Sequence, residues 1–256
     1  MKDLVEGVIR LLEQKESFAL ATIVKQRGSA PRDSGAHMAI RADGGILGTI
    51  GGGLLEALVQ QHAVHVLQEH KMHVLELNLT CRQAAQMDMI CGGQVEVLID
   101  FIDVQEAGYL DIYRGILSSS KSGQRAWLVT SLSPNESVCR TRQCLVKNSS
   151  EIIGWEGCPS GDLESLLPQM PNIRSFTVFD DLQLMIEPLG CSGTTYVFGG
   201  GHIAHKLVPL LNMVEFATVV VDDRVEYANI ERFTTADQII VSDFTSVFNE
   251  LDIDEQ

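Results

Sequence analysis

The sequence predicts an α/β protein: an N-terminal mixed α/β domain over residues 1–190, followed by a short Rossmann-type domain over 191–256 that reads as incomplete. Three observations carry this. Tyr196-Val197-Phe198 is an apolar strand that runs into Gly199-Gly200-Gly201, and a helical run opens at His202. Roughly twenty residues later, the spacing of a dinucleotide-binding βαβ unit, Thr218-Val219-Val220-Val221 reads as a second strand ending in Asp222-Asp223. In the first half, β-rich apolar runs are interleaved with helical patterns and glycine-bearing loops.

Each element follows from local pattern. Leu4, Val5, Val8, Ile9, Leu11 and Leu12 repeat with helical spacing, so a helix is expected over 3–16. Phe18 to Val24 is apolar and β-branched, which suits a buried strand. His37 to Arg41 and Ile46 to Ile50 read as short strands around the turn Asp43-Gly44-Gly45. A helix is expected from Leu54 to Glu69, strands at 72–79 and 94–102, and a helix over 105–119. Strands are expected at 126–130 and 144–147. Ser160-Gly161-Asp162 opens a short helix reaching Leu167, with Asp162 favoured by the helix dipole. Extended segments follow at 174–178 and 183–186. Pro188-Leu189-Gly190-Cys191-Ser192-Gly193 has the composition of a linker and marks the domain boundary. Beyond it, a third apolar run at 238–241 and a helix near 244–251 complete only half of the usual dinucleotide-binding sheet. The exposed strand edge of such a half needs covering, which a homodimer would do.

Composition narrows the function classes. A formal net charge of −15 at pH 7 argues against a general nucleic-acid or anionic-membrane binder. No apolar run approaches the roughly 20 residues that cross a bilayer, and Met1-Lys2-Asp3-Leu4-Val5-Glu6 does not read as a signal peptide. A cytoplasmic protein with reduced cysteines is the expectation. Cys139 and Cys144 have poor zinc-site spacing. His62 and His65, like His202 and His205, are three apart on helices, with no third ligand in view. Neither a nucleophile elbow nor a His-Glu-x-x-His motif is present.

The candidate site residues lie in the glycine loops. At 199–204, Gly199 can take the tight turn, Gly201 lets the backbone approach a phosphate, and Ala204 lets helix and strand pack closely. The phosphate would sit on N–H groups at the helix N-terminus, with His202 beside it. Asp222 is placed to accept from a ribose 2′-hydroxyl. In the first half, Gly28-Ser29-Ala30-Pro31-Arg32 carries an arginine suited to phosphate or carboxylate. Gly51-Gly52-Gly53 between a strand and a helix would expose an anion nest, and Glu56 either favours the helix dipole or reaches a ligand. Cys91-Gly92-Gly93 offers a soft thiol on a flexible backbone, either a metal ligand or a buried cysteine beside a bulge.

Taken together, Gly28-Ser29-Ala30-Pro31-Arg32, Gly48-Thr49-Ile50-Gly51-Gly52-Gly53 with Glu56, and Cys91-Gly92-Gly93 resemble the N-terminal motifs of the XdhC/CoxI family. Phe198-Gly199-Gly200-Gly201-His202-Ile203-Ala204 and Val221-Asp222-Asp223-Arg224, with Ala228-Asn229 and Glu231-Arg232-Phe233, are similar to that family's C-terminal Rossmann domain. Gly200 and Ala204 stand where that domain's fingerprint has alanine and glycine. The resemblance implies an accessory protein, rather than a catalyst, that binds and protects molybdenum cofactor. It would support sulfuration of the cofactor with a sulfurase and deliver it to a molybdenum hydroxylase of the xanthine dehydrogenase type. On that reading Ser29, Arg32, Gly51, Gly52, Gly53, Glu56, Gly199, Gly201, His202 and Asp222 contact the cofactor, and Cys91 meets the metal. The two loop sets are expected to face one cleft. The alternative is an NAD-dependent oxidoreductase using the Rossmann unit, which the acid pair Asp222-Asp223 favours.

Overall fold

The computed structural model describes residues 2–28, 32–78, 93–122, 124–131, 141–148, 151–154, 166–172, 176–179, 183–189, 194–214, 216–249 and 251. The chain forms two compact units, one of residues 1–119 with 126–189 and one of 190–256 with 120–125.

The first unit begins with α1 (Lys2–Glu13), whose Leu4, Val5, Val8, Leu11 and Leu12 are buried. Its first sheet comprises β1 (Phe18–Arg27), β2 (His37–Ile40), β3 (Ile46–Gly48), β4 (His73–Asn78) and β5 (Gln94–Ile102), in the order β3-β2-β1-β5-β4. All four pairings are antiparallel. A second antiparallel sheet holds β6 (Ala126–Ser131), β7 (Arg142–Lys147), β8 (Glu151–Gly154), β9 (Thr177–Phe179) and β10 (Leu184–Leu189), in the order β8-β7-β6-β10-β9. Two longer helices, α2 (Gly53–Glu69) and α3 (Tyr109–Ser122), accompany these sheets.

The unbroken apolar run at β1 has a physical cause: both faces of its sheet are covered. Ala19, Ala21 and Ile23 face α2 and pack with Leu55, Val59, Ala63 and Val66. The small alanines let the helix approach the sheet. Phe18 and Leu20 face the other way and join Leu128, Leu145, α1 and α3 in a second core. The outer face of the second sheet packs Trp127, Val129, Cys144 and Val146 against Leu166 and Met170. Side chains this large each contribute about 1.5–3 kcal/mol when fully buried.

Several sequence expectations are corrected. Helix α3 starts at Tyr109, not 105, because 103–108 is a turn closed by Glu106 N donating to Asp103 O (3.0 Å) and ending on Gly108 at φ 104°. β8 has no counterpart in the sequence pattern; Glu151-Ile152-Ile153-Gly154 is too short for one and becomes a strand by pairing with β7. Pro188 and Leu189, read as linker, belong to β10 and pair with Trp127 and Ala126. The start of the helix expected from Ser160 lies outside the described residues, and 167–172 is a 3-10 helix.

The second unit holds three parallel strands, β11 (Thr194–Phe198), β12 (Ala217–Asp222) and β13 (Gln238–Val241), in the order β11-β12-β13. Helix α4 (His202–Met213) packs Ala204 and Val208 against Val197, Val220 and Phe233. The helix expected at 244–251 shortens to a 3-10 turn, Val247–Asn249.

Candidate functional site

Strand register brings together the strand residues next to the N-terminal motifs. Arg27 at the end of β1 pairs with Gln94 at the start of β5, and Asn78 at the end of β4 pairs with the same Gln94. His37 at the start of β2 lies beside Thr22 of β1, and Gly48 at the end of β3 lies beside Met38. Arg27, His37, Gly48, Asn78 and Gln94 therefore lie at one end of the first sheet, where α2 also begins. Ser29 and Cys91 lie outside the described residues. Arg32 is exposed at this end. A cleft of ≈ 350 Å³ opens between the ends of β1, β4 and β5, lined by Lys25, Gln26, Arg27, Asn78 and Gln94 among others. Gln26 donates from Nε2 to Asp33 (3.0 Å), while its Oε1 is buried without a hydrogen-bond partner among the described residues.

At 51–53, where an anion nest is expected, the chain's own Glu56 and Thr49 accept from the amides of residues 50–52. Gly51, Gly52 and Gly53 have φ of 122°, 75° and 58°, three successive left-handed residues. A side chain in such a conformation costs about 1–2 kcal/mol per residue. This turns the main-chain amides inward. Glu56 Oε1 accepts from Thr49 Oγ1 (2.5 Å), Gly52 N (2.9 Å) and Ile50 N (3.2 Å). The carboxylate is the loop's own anion, which any phosphate bound there would have to displace. Replacing Glu56 by alanine is therefore expected to weaken the first unit by about 1–2 kcal/mol and to raise its affinity for inorganic phosphate several-fold. Calorimetric titration of both forms measures the second effect, and unchanged phosphate affinity would contradict the nest.

In the second unit the glycine turn follows β11 at the carboxyl end of the parallel sheet, where ligands of such sheets bind. Gly199 N donates to Val221 O (2.7 Å). Gly200 is the residue that packing requires: a Cβ there would stand 2.4 Å from the Tyr227 carbonyl oxygen. Glycine in place of the fingerprint's alanine is thus a structural necessity in this chain. Gly201 caps α4 with an ordinary φ of −72°, and no atom of the described residues stands within 4 Å of where its Cβ would be. Neither a described neighbour nor backbone strain demands glycine there, and glycine is among the residues favoured at a helix N-cap. His202 is exposed in the first turn of α4.

Asp222 is not available to a ribose hydroxyl. It is fully buried, and each oxygen accepts twice: Oδ1 from Arg224 N (2.9 Å) and Nε (3.0 Å), Oδ2 from Gly200 N (2.7 Å) and Arg224 Nη2 (3.1 Å). A carboxylate has about four lone-pair positions, and all are taken. The Arg224 fork, with the two amides, holds its pKa well below the usual carboxylate range. Asp222 ties the glycine turn to the end of β12. Arg224 also stacks on Tyr227 (3.9 Å to the ring centre), and Arg232 Nη2 donates to Gly200 O (3.1 Å). Arg224, Tyr227, Arg232 and Thr49 carry no role in the sequence reading. An arginine two residues after a strand-end acid was the visible signal for Arg224; contact with the turn at residues 227 and 232 needed the fold. Among the described residues no cluster of three or more His, Cys, Asp or Glu side chains is placed to hold a metal.

A carboxyl-end glycine turn on a parallel sheet, after a unit of two antiparallel sheets with its glycine loops at one end, defines a two-part α/β protein with a Rossmann-type second unit. Residues 11–78 match the model of the XdhC and CoxI family, and residues 195–256 match that of the XdhC Rossmann domain, together just over half of the chain. The chain belongs to the XdhC and CoxI family. It is 43% identical over 90 residues to the uncharacterized protein YqeB of Escherichia coli, which takes in 35% of this chain and 16% of that protein. It is 25% identical over 239 residues to a probable xanthine dehydrogenase subunit of Bacillus subtilis, covering 91% of this chain and 67% of that protein. A crystal structure of a xanthine dehydrogenase from Bacillus halodurans shares the fold, with a TM-score of 0.70 and 22% identity over 99% of this chain and 71% of that one.

Proposed function

We propose that this protein is an accessory factor for a molybdenum hydroxylase of the xanthine dehydrogenase type: it binds molybdenum cofactor, supports its sulfuration by a sulfurase and hands it to the apo-enzyme. Family membership and a relative named for xanthine dehydrogenase support the accessory role. The observation that carries the binding step is that Arg27, His37, Gly48, Asn78 and Gln94, the strand residues next to the glycine-bearing motifs, lie at one end of the first sheet beside a polar cleft. The residues present fit a phosphate-bearing pterin. The bare backbone of Gly201 suits phosphate, as do the Ile50 and Gly52 amides once the Glu56 carboxylate is displaced from them, Arg32 suits an anionic edge, and Gln26 Oε1, without a partner among the described residues, asks for an N–H donor. Cys91 supplies the thiol for the metal end. The group itself supplies a redox-active metal held by sulfur. On this reading the protein works in the cytoplasm, and a homodimer would cover the open edge of β11.

The filled Asp222 counts against the NAD-dependent oxidoreductase, which needs that acid for a ribose hydroxyl. Protein purified from cells that make the cofactor is expected to carry molybdenum and pterin fluorescence, and a Cys91→Ser form to retain less molybdenum. Titration with NADH and NADPH is expected to show no tight binding. Absence of molybdenum and pterin, together with tight NADH binding and hydride transfer, would overturn the reading in favour of the oxidoreductase.

A further inference from the structure

The two sheets of the first unit meet through a seam that is not wholly apolar. His37 of β2 bonds Glu187 of β10 through Nε2 (2.7 Å), and its Nδ1 meets the Thr22 hydroxyl (2.9 Å). Both side chains are more than nine-tenths buried. On β5, Asp100 is 3% exposed and accepts from the Thr141 hydroxyl and from Thr141 N (3.3 Å). Gln143 of β7 is 7% exposed, and its Oε1 has no hydrogen-bond partner among the described residues. All these residues line one small cavity of ≈ 10 Å³, close to the smallest space, about 10–15 Å³, that holds a water. None of them belongs to the glycine loops.

We infer that this cavity is a proton- and water-binding site: a water seated between Asp100 and Gln143 takes the carboxyl proton of Asp100 as a hydrogen bond and donates to Gln143 Oε1. Two faults are resolved by that one arrangement. A buried acceptor without a donor costs about 1–3 kcal/mol, and a carboxylate taken out of water is worse placed than a neutral carboxyl. The groups facing Asp100 are those of the seam. Glu106 lies after β5 and opposes its ionisation, and Tyr113 of α3 senses both Asp100 and Glu187. His37 offsets Glu187 rather than Asp100: burial lowers its pKa, but the Glu187 charge and hydrogen bond prevail and raise it. Burial, against the Thr141 bonds, pushes Asp100 up to about 6. The sheet-to-sheet joint is therefore tightest with Asp100 protonated and loosens as the proton leaves near neutrality.

The sign follows from linkage. A carboxyl whose folded pKa is raised contributes stability that is complete below about pH 4 and lost as pH rises to about 6. Tryptophan fluorescence reports the first unit alone, since Trp127 and Trp155 both fall in its residues. In full-length protein, the folding constant read by tryptophan should fall about a hundredfold between pH 4 and pH 7 relative to Asp100→Asn. Asparagine offers a permanent donor and should remove that part of the slope. Carboxyl ¹³C titration of the unsubstituted protein should place Asp100 between pH 5 and 7, and a long-lived water should contact the Thr141 amide, disappearing in Gln143→Leu. Titration of Asp100 near pH 4, an unaltered slope in Asp100→Asn, or no such water in the unsubstituted protein would overturn the inference.

Discussion

Replacing Asp222 by alanine will destabilise the second unit by about 3 kcal/mol. The carboxylate is fully buried and accepts from Gly200 N, Arg224 N and both edges of the Arg224 fork. Its removal strands two amides and one guanidinium. The value sits at the low end for a broken buried pair because Arg224 is 50% exposed and recovers water. Asp222→Asn keeps the shape but turns an N–H₂ toward donors, so it should be nearly as damaging. The same logic gives an acid dependence. A depressed carboxyl contributes stability that is present above about pH 4 and fades as pH falls below it. The second unit has no tryptophan. Circular dichroism should therefore show an early loss of its structure while the tryptophan transition of the first unit stays in place. Coincident, unshifted transitions in the variant would contradict the role given to Asp222.

The second large effect separates neighbouring glycines. Gly200→Ala puts a methyl 2.4 Å from the Tyr227 carbonyl oxygen and 2.8 Å from its carbon. Backbone atoms cannot yield as a side chain can, so the cost is about 2–3 kcal/mol. Gly201→Ala meets nothing within 4 Å and keeps an allowed φ. Its stability should change by less than about 0.5 kcal/mol, yet a cofactor phosphate that approaches the turn would be blocked. Denaturation and cofactor retention, measured on both forms, should give opposite patterns: Gly200→Ala unstable, Gly201→Ala stable but unable to hold ligand. Full cofactor retention in Gly201→Ala would remove the phosphate from this turn.

How much of this was legible without coordinates depended on range. β1, β2, α2 and β5 were readable because their patterns are local, and Gly199 to Ala204 because the turn is contiguous. The strand order was not readable, since Arg27, Asn78 and Gln94 meet only through register. β8 and the last two residues of β10 owe their state to pairing partners rather than to their own composition. Asp222 was misread for an instructive reason. Its position at the strand end is that of a ribose acceptor, but Arg224 two residues on reaches back to fill it. Glu56 was placed correctly in the first turn of α2, while its bonds to Thr49, Ile50 and Gly52 depend on three left-handed glycines in a row.

On the proposed function, main-chain amides of the glycine loops receive the acidic group of a pterin cofactor. The most direct measurement is the ¹H–¹⁵N amide spectrum of the protein before and after molybdenum cofactor is added. Large shifts at Gly51, Gly52, Gly53 and Gly201, with Gly44 of the distant β2–β3 turn unmoved, are the predicted result. A spectrum that leaves all four of those glycines in place while the cofactor binds would contradict it.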